Sequence, residues 1–389
     1  MRDVYADNNA TTQVAPEVKE AMLPFFEDLY GNPSSMHHFG AHVEKHLIYA
    51  REQVASLLSA DPEEIVFTSC GTESDNAAIH GTLASYPEKR HIVTTKVEHN
   101  AVLQFCRHLQ KNGYRVTELA VDRWGRLNLD ELQSSLSDGT AIVSIMYANN
   151  ETGVVFPIEH IAQMVKSRGI VFHTDAVQAG GKIPLNLSTL PVDFLSLSGH
   201  KLHAPKGIGV LYIRKGTRFS PLLIGGHQEH GRRAGTENVP YIVGIGKACE
   251  LAQSQMEKER IRIRNLRDHL EDELLKRIPK TRVNGDRENR LPNTLNISFE
   301  SVEGESILLL LSKEGIGASS GSACTSGSLE PSHVLRAMGV PFNAIHGSVR
   351  FSLSRYNTEE DISYIIEKVP PIISRLREMS PFWSEVAQG

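Results

Sequence analysis

The residues of this chain that could do chemistry lie far apart along it. Lys201 closes the run Phe194-Leu195-Ser196-Leu197-Ser198-Gly199-His200-Lys201. The apolar part reads as a buried strand and the small residues after it as a tight polar loop. A second apolar run, Ile208 to Ile213, follows Pro205-Lys206-Gly207, so the segment is strand, loop, strand. A lysine at the mouth of such a strand stands where open α/β sheets place ligands. In a partly apolar pocket it gives up its proton readily and acts as an amine nucleophile. A lone lysine is ordinarily a solvated loop residue, so other reactive groups must decide between the two readings.

Those groups are an acid, an imidazole, an anion cradle, an arginine and a thiol. Asp175 follows a strand expected over Ile170 to His173, with Gln178 close behind. An unpaired buried carboxylate is costly, so Asp175 requires a cationic partner. His99 lies in the turn Glu98-His99-Asn100-Ala101, after a strand from His91 to Thr95. Asn149-Asn150-Glu151 follows a strand from Ala141 to Met146. The three strand ends could face one crevice, although a single histidine such as His99 is more often structural than catalytic. Ser69-Cys70-Gly71-Thr72-Glu73-Ser74 joins the strand Glu64 to Thr68 to a helix. Free N–H groups and the helix dipole make such a junction a phosphate cradle. It carries neither glycine-rich nucleotide fingerprint, so a nucleoside triphosphate or dinucleotide is not indicated. Arg350 lies in Gly347 to Ser352, a strand with apolar neighbours, where a guanidinium clamps a carboxylate or phosphate or else forms an internal salt bridge. Cys324 sits within Ala318 to Ser328, eleven small residues. That composition makes an exposed loop, a poor setting for a packing cysteine and a good one for a nucleophile.

A strand-end lysine, a buried acid, a phosphate cradle, an imidazole and an arginine together suit pyridoxal phosphate. Lysine forms the Schiff base, the acid keeps the pyridine nitrogen protonated, the cradle takes the phosphate and His99 stacks on the ring. A mobile thiol narrows the reaction, because simple transamination needs no second nucleophile.

The elements that must position these groups alternate. Helices are expected at Pro16 to Phe26, Phe39 to Leu58, Leu129 to Leu136 and Ile158 to Ser167, with a further strand at Arg115 to Leu119. This alternation implies a doubly wound α/β fold with a largely parallel sheet. Residues 4–12 form a short extended start with Asp7-Asn8-Asn9 as a polar turn. A glycine- and arginine-rich loop, Gly225 to Glu237, can bind an anion or project to another subunit. A long charged helix, about Tyr241 to Arg277 and interrupted or kinked on the way, connects to a changed pattern. There strands (Thr294 to Phe299, Gly317 to Ser319, Ser348 to Ser352) and helices (Ile307 to Lys313, Glu359 to Arg377) indicate a smaller α+β domain. The expected division is 16–260 as the large cofactor-binding domain, with 1–15 and 261–389 as the small domain carrying the cysteine loop. His38, His42 and His46 recur at metal-binding spacing, but no HExxH pattern or nearby cysteine supports a metal, and a solvated or interface face is the preferred reading.

Composition excludes several classes. The 389 residues hold 40% apolar and 22% charged residues with a net charge of −5, so no basic face for nucleic acid is implied. No stretch approaches the ~20 apolar residues of a membrane helix, and the start MRDVYADNNATT has no secretory pattern. The four cysteines, Cys70, Cys106, Cys249 and Cys324, form no CxxC pair, which argues against disulfides and zinc and for a reducing cytoplasm.

DFLSLSGHKLHAPKGIGVLY resembles the lysine signature of the class V aminotransferase family, and SSGSACTSGSLEPSHVLRAMG resembles the cysteine loop of cysteine desulfurases. YADNNATT, YGNPSSMH, FTSCGTESDN, VEHNAVL, ANNETG, FHTDAVQ, GGHQEHGRRAGTEN and VRFSLSRYNTEE are also similar. The likeness spans the chain and leans toward the nitrogen-fixation (NifS) type over the housekeeping (IscS) type. It implies fold type I of the pyridoxal phosphate enzymes, a seven-stranded mostly parallel sheet, and a homodimer with active sites near its interface. It implies that Lys201 carries the cofactor, Asp175 pairs with the ring nitrogen, and His99 stacks on the ring and shuttles protons. Gln178 and Asn150 would reach the ring hydroxyl or the substrate, and Gly71, Thr72, Ser198 and His200 would hold the phosphate with Thr236 from the other subunit. Arg350 would take the substrate carboxylate. Cys324 would receive sulfur from L-cysteine as a persulfide, leaving L-alanine, and pass it to an iron–sulfur scaffold protein, as for nitrogenase. Two alternatives stand beside this: a selenocysteine lyase or plain aminotransferase of the same family, and a non-enzymatic carrier using Cys324 as an iron–sulfur cluster ligand.

Overall fold

The computed structural model describes residues 2–320, 331–381 and 383. Its centre is a seven-stranded sheet in the order β2-β8-β7-β6-β5-β3-β4, built from β2 (Ile65–Thr68), β3 (His91–Thr95), β4 (Arg115–Leu119), β5 (Thr140–Ser144), β6 (Val171–Asp175), β7 (Phe194–Ser198) and β8 (Gly209–Ile213). Neighbouring strands run parallel except at β8, which lies antiparallel to both β7 and β2. Every residue of β2, β3, β5, β6, β7 and β8 is buried. This explains why these strands are near-continuous apolar runs and not alternating ones, since helices cover both faces. The covering helices are α1 (Pro16–Met22), α2 (His38–Leu58), α3 (Gly71–Ser85), α4 (Asn100–Lys111), α5 (Leu129–Ser135), α6 (Ile158–Lys166) and the first part of α7 (Val239–Arg277).

α7 is one uninterrupted helix of 39 residues, which corrects the expected interruption or kink. No proline lies within it beyond its first turn. Its glycines serve close packing: a Cβ on Gly246 would stand 2.7 Å from Ala50 Cα of α2, and one on Gly244 2.8 Å from Met22 Sδ. At ~1.5 Å per residue the helix is long enough to serve two cores. Ile242, Ile245, Cys249 and Ala252 belong to the sheet's main core, whereas Ile263, Leu266, Leu270 and Leu274 belong to a second cluster. That second cluster is closed by the antiparallel sheet β9 (Thr281–Val283), β10 (Thr294–Phe299) and β12 (Ser348–Ser352), with β12 and β9 flanking β10. α8 (Gly304–Lys313) and α11 (Glu359–Met379) pack on it, and α9 (His333–Ala337) and α10 (Phe342–Ile345) bridge toward the main sheet. The N-terminal strand β1 (Val4–Tyr5) joins this second unit by pairing in parallel with β11 (Ile316–Gly317).

Several strand boundaries differ from the sequence reading by one or two residues. β5 starts at Thr140, and β6 runs to Asp175, so that carboxylate is the last residue of the strand itself. β9, α9 and α10 were not anticipated, because three to five residues are too few for a periodic pattern to stand out. Leu270 is fully buried at the heart of the second cluster. Leu270→Ala should cost about 2–5 kcal/mol, visible as a lowered denaturation midpoint; an unchanged midpoint would contradict the packing role given to the second half of α7.

Candidate active site

The carboxyl ends of β3, β5, β6 and β7 open into one cavity of about 400 Å³. Open α/β sheets place ligands at this edge because parallel strands aim their helix-opening loops the same way. Gly71, Thr72, His99, Asn150, Asp175, Gln178, Ser198, His200, Lys201 and Arg350 all line it. Thr236 does not: it lies exposed in the loop before α7. Cys324 lies outside the described residues. Ser319, before it, pairs backbone to backbone with Arg350.

Lys201 ends a single 3-10 turn, Gly199–Lys201, that follows β7 directly. Gly199 permits the turn: a Cβ there would stand 2.6 Å from Ile208 Cγ2, where the chain doubles back toward β8. The Lys201 Nζ donates to Asn9 O at 2.5 Å and Ala10 O at 2.7 Å. Asp175 accepts from the Val177 amide at 2.9 Å. Burial pushes its pKa up, and His99, the Val177 amide and Lys201 oppose that shift. His99 caps α4, its Nδ1 accepting from Ala101 N at 3.2 Å, so its proton rests on Nε2. Burial lowers the pKa of this imidazole against the attraction of Asp175.

The cradle is the first turn of α3. Its cap residue Cys70 makes no side-chain capping bond, so the helix's leading N–H groups stay available for an anion. Two glycines hold this turn against the sheet. A Cβ on Gly71 would stand 2.9 Å from Val177 Cγ2, and one on Gly209 of β8 would stand 2.6 Å from the Cys70 carbonyl carbon. Ser198, close beside Gly71, and His200 line the same cavity. Burial brings the His200 pKa down to about 4.

Arg350 is buried at the centre of β12. Its Nη2 donates to Asp7 Oδ1 at 2.8 Å and its Nη1 to Asn150 O at 2.9 Å. The internal salt bridge weighed against a carboxylate clamp is therefore present. Yet Nε finds no hydrogen-bond partner among the described residues, and a buried donor in that state remains able to receive an anion. Gln178 donates from Nε2 to Asn9 O at 3.0 Å and accepts from Lys182 Nζ at 3.2 Å.

Sequence reasoning missed several wall residues. Asn9, read only as part of a polar turn, and Ala10 both line the cavity. So does Asp75, whose carboxyl is fully buried and driven toward its neutral form by burial and by Asp175. Its spacing of one helical turn from Gly71 was the available signal. The remaining cysteines divide by burial. Cys106 and Cys249 are buried, with thiols pushed up to about 12, and act as packing residues. Cys70 borders the cavity. His46 packs edge-on to Phe25 and His38 against Phe39, and among the described residues no cluster of three or more metal-ligating side chains occurs.

This donor set fits pyridoxal phosphate. A helix start closed to side chains by Gly71 accepts a phosphate, Asp175 is a buried carboxylate able to hold a proton on a ring nitrogen, and Lys201 presents an amine beside both.

The family model for class V aminotransferases matches residues 4–365. A protein named cysteine desulfurase from Trichormus azollae is 63% identical over 387 residues, covering 100% of this chain and 97% of its own length. The cysteine desulfurase NifS of Azotobacter vinelandii is 59% identical over 385 residues, covering 99% of this chain and 96% of that protein. Among solved structures, a NifS-like protein superimposes with a TM-score of 0.91 at 42% identity, over 96% of this chain and 100% of that one.

Two outcomes follow from the cradle and its imidazole. Gly209→Ala should displace the Cys70 carbonyl and weaken pyridoxal phosphate binding by at least about tenfold (~1.4 kcal/mol), measured by titration of the cofactor-free protein; unchanged affinity would show that the cradle does not depend on this contact. The His200 pKa in the folded protein lies below its free value of 6.5. The stability this ring contributes is therefore complete above pH 6.5 and lost as the pH falls from 6.5 toward about 4. His200→Gln should lose less stability than the parent across that window, and an NMR midpoint for His200 near 6.5 would contradict the shift.

Proposed function

The chain belongs to the class V aminotransferase family, and from that premise we propose that it is a pyridoxal-phosphate-dependent cysteine desulfurase of the NifS type. It converts L-cysteine to L-alanine, and the sulfur leaves on Cys324 as a persulfide for iron–sulfur cluster assembly, with nitrogenase as the destination. The observation that carries this reading is the convergence of Lys201, Asp175, His99, Arg350 and the α3 cradle on one cavity. It occurs in a chain 59% identical along nearly its whole length to a NifS desulfurase.

Bound there, pyridoxal phosphate supplies the electron sink that weakens the Cα–H and Cβ–S bonds of the substrate. The chain does the rest. The α3 N-terminus with Gly71, Thr72, Ser198 and His200 holds the phosphate, and Thr236 reaches it from a second subunit. Asp175 keeps the ring nitrogen protonated and so favours electron flow away from the substrate. His99, its Nδ1 engaged by Ala101 N, would stack on the ring and move protons from Nε2. Lys201 holds the cofactor, then removes and returns the Cα proton with its freed amine. Asn150 and Gln178 orient the ring hydroxyl and the substrate. Arg350 receives the substrate carboxylate through its unengaged Nε and by yielding its contact with Asp7. The Cys324 thiolate attacks the substrate sulfur: the S–S bond forms, the Cβ–S bond breaks, and its electron pair returns to the substrate carbon skeleton, which is reprotonated to alanine.

Residues 16–260 act as the cofactor-binding domain, and residues 1–15 with 261–389 as the smaller domain that brings the thiol. The enzyme works as a homodimer. Support for this comes from large apolar side chains left exposed between α1 and α2 (Phe26 and Tyr30) and on α2 itself (Ile48 and Tyr49). The sulfur acceptor is an iron–sulfur scaffold protein, and free thiols at Cys70, Cys106 and Cys249 support a reducing cytoplasmic setting. Among the described residues no helix is long and apolar enough to cross a membrane.

Alanine and sulfide release from L-cysteine, read with the visible spectrum, tests the assignment. Cys324→Ala should keep the cofactor and lose both products, and Lys201→Ala should lose turnover. Alanine release independent of Cys324 would move the function to a lyase or transaminase.

A further inference from the structure

The lysine, the glutamine and the arginine of the cavity meet at the N-terminal turn. Asn9 O accepts from Lys201 Nζ and from Gln178 Nε2, and the next carbonyl, Ala10 O, accepts from the same Nζ. A carbonyl aims a lysine only as well as its own peptide is held, and residues 6–12 belong to no regular strand or helix. What holds this peptide is the Asn9 side chain. It is 1% exposed, and its amide group is satisfied on every side. Nδ2 donates to Asn150 O at 3.1 Å and to Thr294 Oγ1 at 2.8 Å, and Oδ1 accepts from Asn293 Nδ2 at 3.0 Å. The Asn9 amide itself donates to Ser352 Oγ at 2.9 Å. These partners come from both units: Asn150 from the large sheet's loops, Asn293 from the turn before β10, and Thr294 and Ser352 from the strands of the second. Asn150 O is also the acceptor for Arg350 Nη1. One buried side chain thus fixes the carbonyl beside the Lys201 amine and shares an acceptor with the guanidinium.

We propose that Asn9 is a positioning residue for desulfuration, aligning the Lys201 amine through the Asn9 and Ala10 carbonyls and keeping it in register with Arg350. The proposal rests on the reading of the cavity given above. The chemistry calls for this residue type. Two planar donors and one acceptor on a short stem match the three partners, whereas aspartate would reverse both donors and alanine would strand buried groups on Asn293 and Thr294. A lysine that must bond a cofactor and then return to a substrate proton is sensitive to misplacement, since about 1 Å can cost ~10²-fold in rate.

The test compares wild type, Asn9→Ala and Thr294→Val. Three quantities are read: the rate at which cofactor-free protein takes up pyridoxal phosphate, followed by its visible band; kcat and KM for L-cysteine per bound cofactor; and the thermal midpoint. Asn9→Ala should slow uptake and lower kcat by about tenfold or more, with KM changed by less than about threefold. Thr294→Val, which removes one acceptor, should move both in the same direction by less. A thermal midpoint that falls while uptake and kcat match wild type, in Asn9→Ala or in Thr294→Val where the first does not fold, would overturn the proposal and leave Asn9 a structural residue. A wild type that neither takes up the cofactor nor releases alanine would remove the reading beneath it.

Discussion

Asp175, His99 and Lys201 share a cavity in which burial works against charge on the acid and the imidazole, while their mutual attraction works for it. The rest of the site depends on how that contest is balanced. A carboxylate buried without donors would simply protonate. Asp175 is offered the Val177 amide, an imidazole and an ammonium, so it can remain an anion when a ring nitrogen arrives. Around it the other groups are held neutral. Burial brings His173 down to about 3 and raises Glu98 to about 8. The charge in the cavity is therefore concentrated where a cofactor and substrate would meet it.

The fold makes this possible by geometry. Parallel strands deliver His99, Asn150, Asp175 and Lys201 to one edge of the sheet, each in the loop or last residue after a different strand. The reversed strand β8 lets the chain return immediately after Lys201, and its Gly209 lets the α3 turn lie directly on the sheet. Arg350 arrives from the second unit on β12, and α7 ties the two cores through one unbroken helix. A site assembled from both units places substrate recognition on one and cofactor chemistry on the other, so their relative position matters as much as either half. The Asn9 and Arg350 bonds to Asn150 O cross that seam, while the Arg350–Asp7 pair and the β1–β11 pairing fasten the first dozen residues to the second unit.

Much of this was legible along the chain, and for local reasons. Strands buried on both faces must be apolar runs, so β3, β5, β6, β7 and β8 announced themselves, and a lysine or acid at the end of such a run stands out. The helix start at Gly71 was legible because small residues after a strand have few other uses. Family resemblance then carried the residue roles further than spacing could. The continuity of α7 was not legible along the chain: Gly244 and Gly246 are contact points only once α1 and α2 lie against them.

What the amino-acid sequence determined by itself is the alternation of strand and helix, the identity of the reactive groups, and the family they belong to, because each depends on neighbours within a few residues. What only the tertiary structure decided is which of those groups stand together and what holds them there. Asn9 is 192 residues from Lys201 and 285 from Thr294. Its three side-chain bonds exist only when two cores close on the N-terminal turn. Nothing in the stretch Asp7-Asn8-Asn9 distinguishes such a hub from an ordinary solvated turn. Hydrogen bonds between residues so far apart follow from packing, and packing is a property of the whole chain.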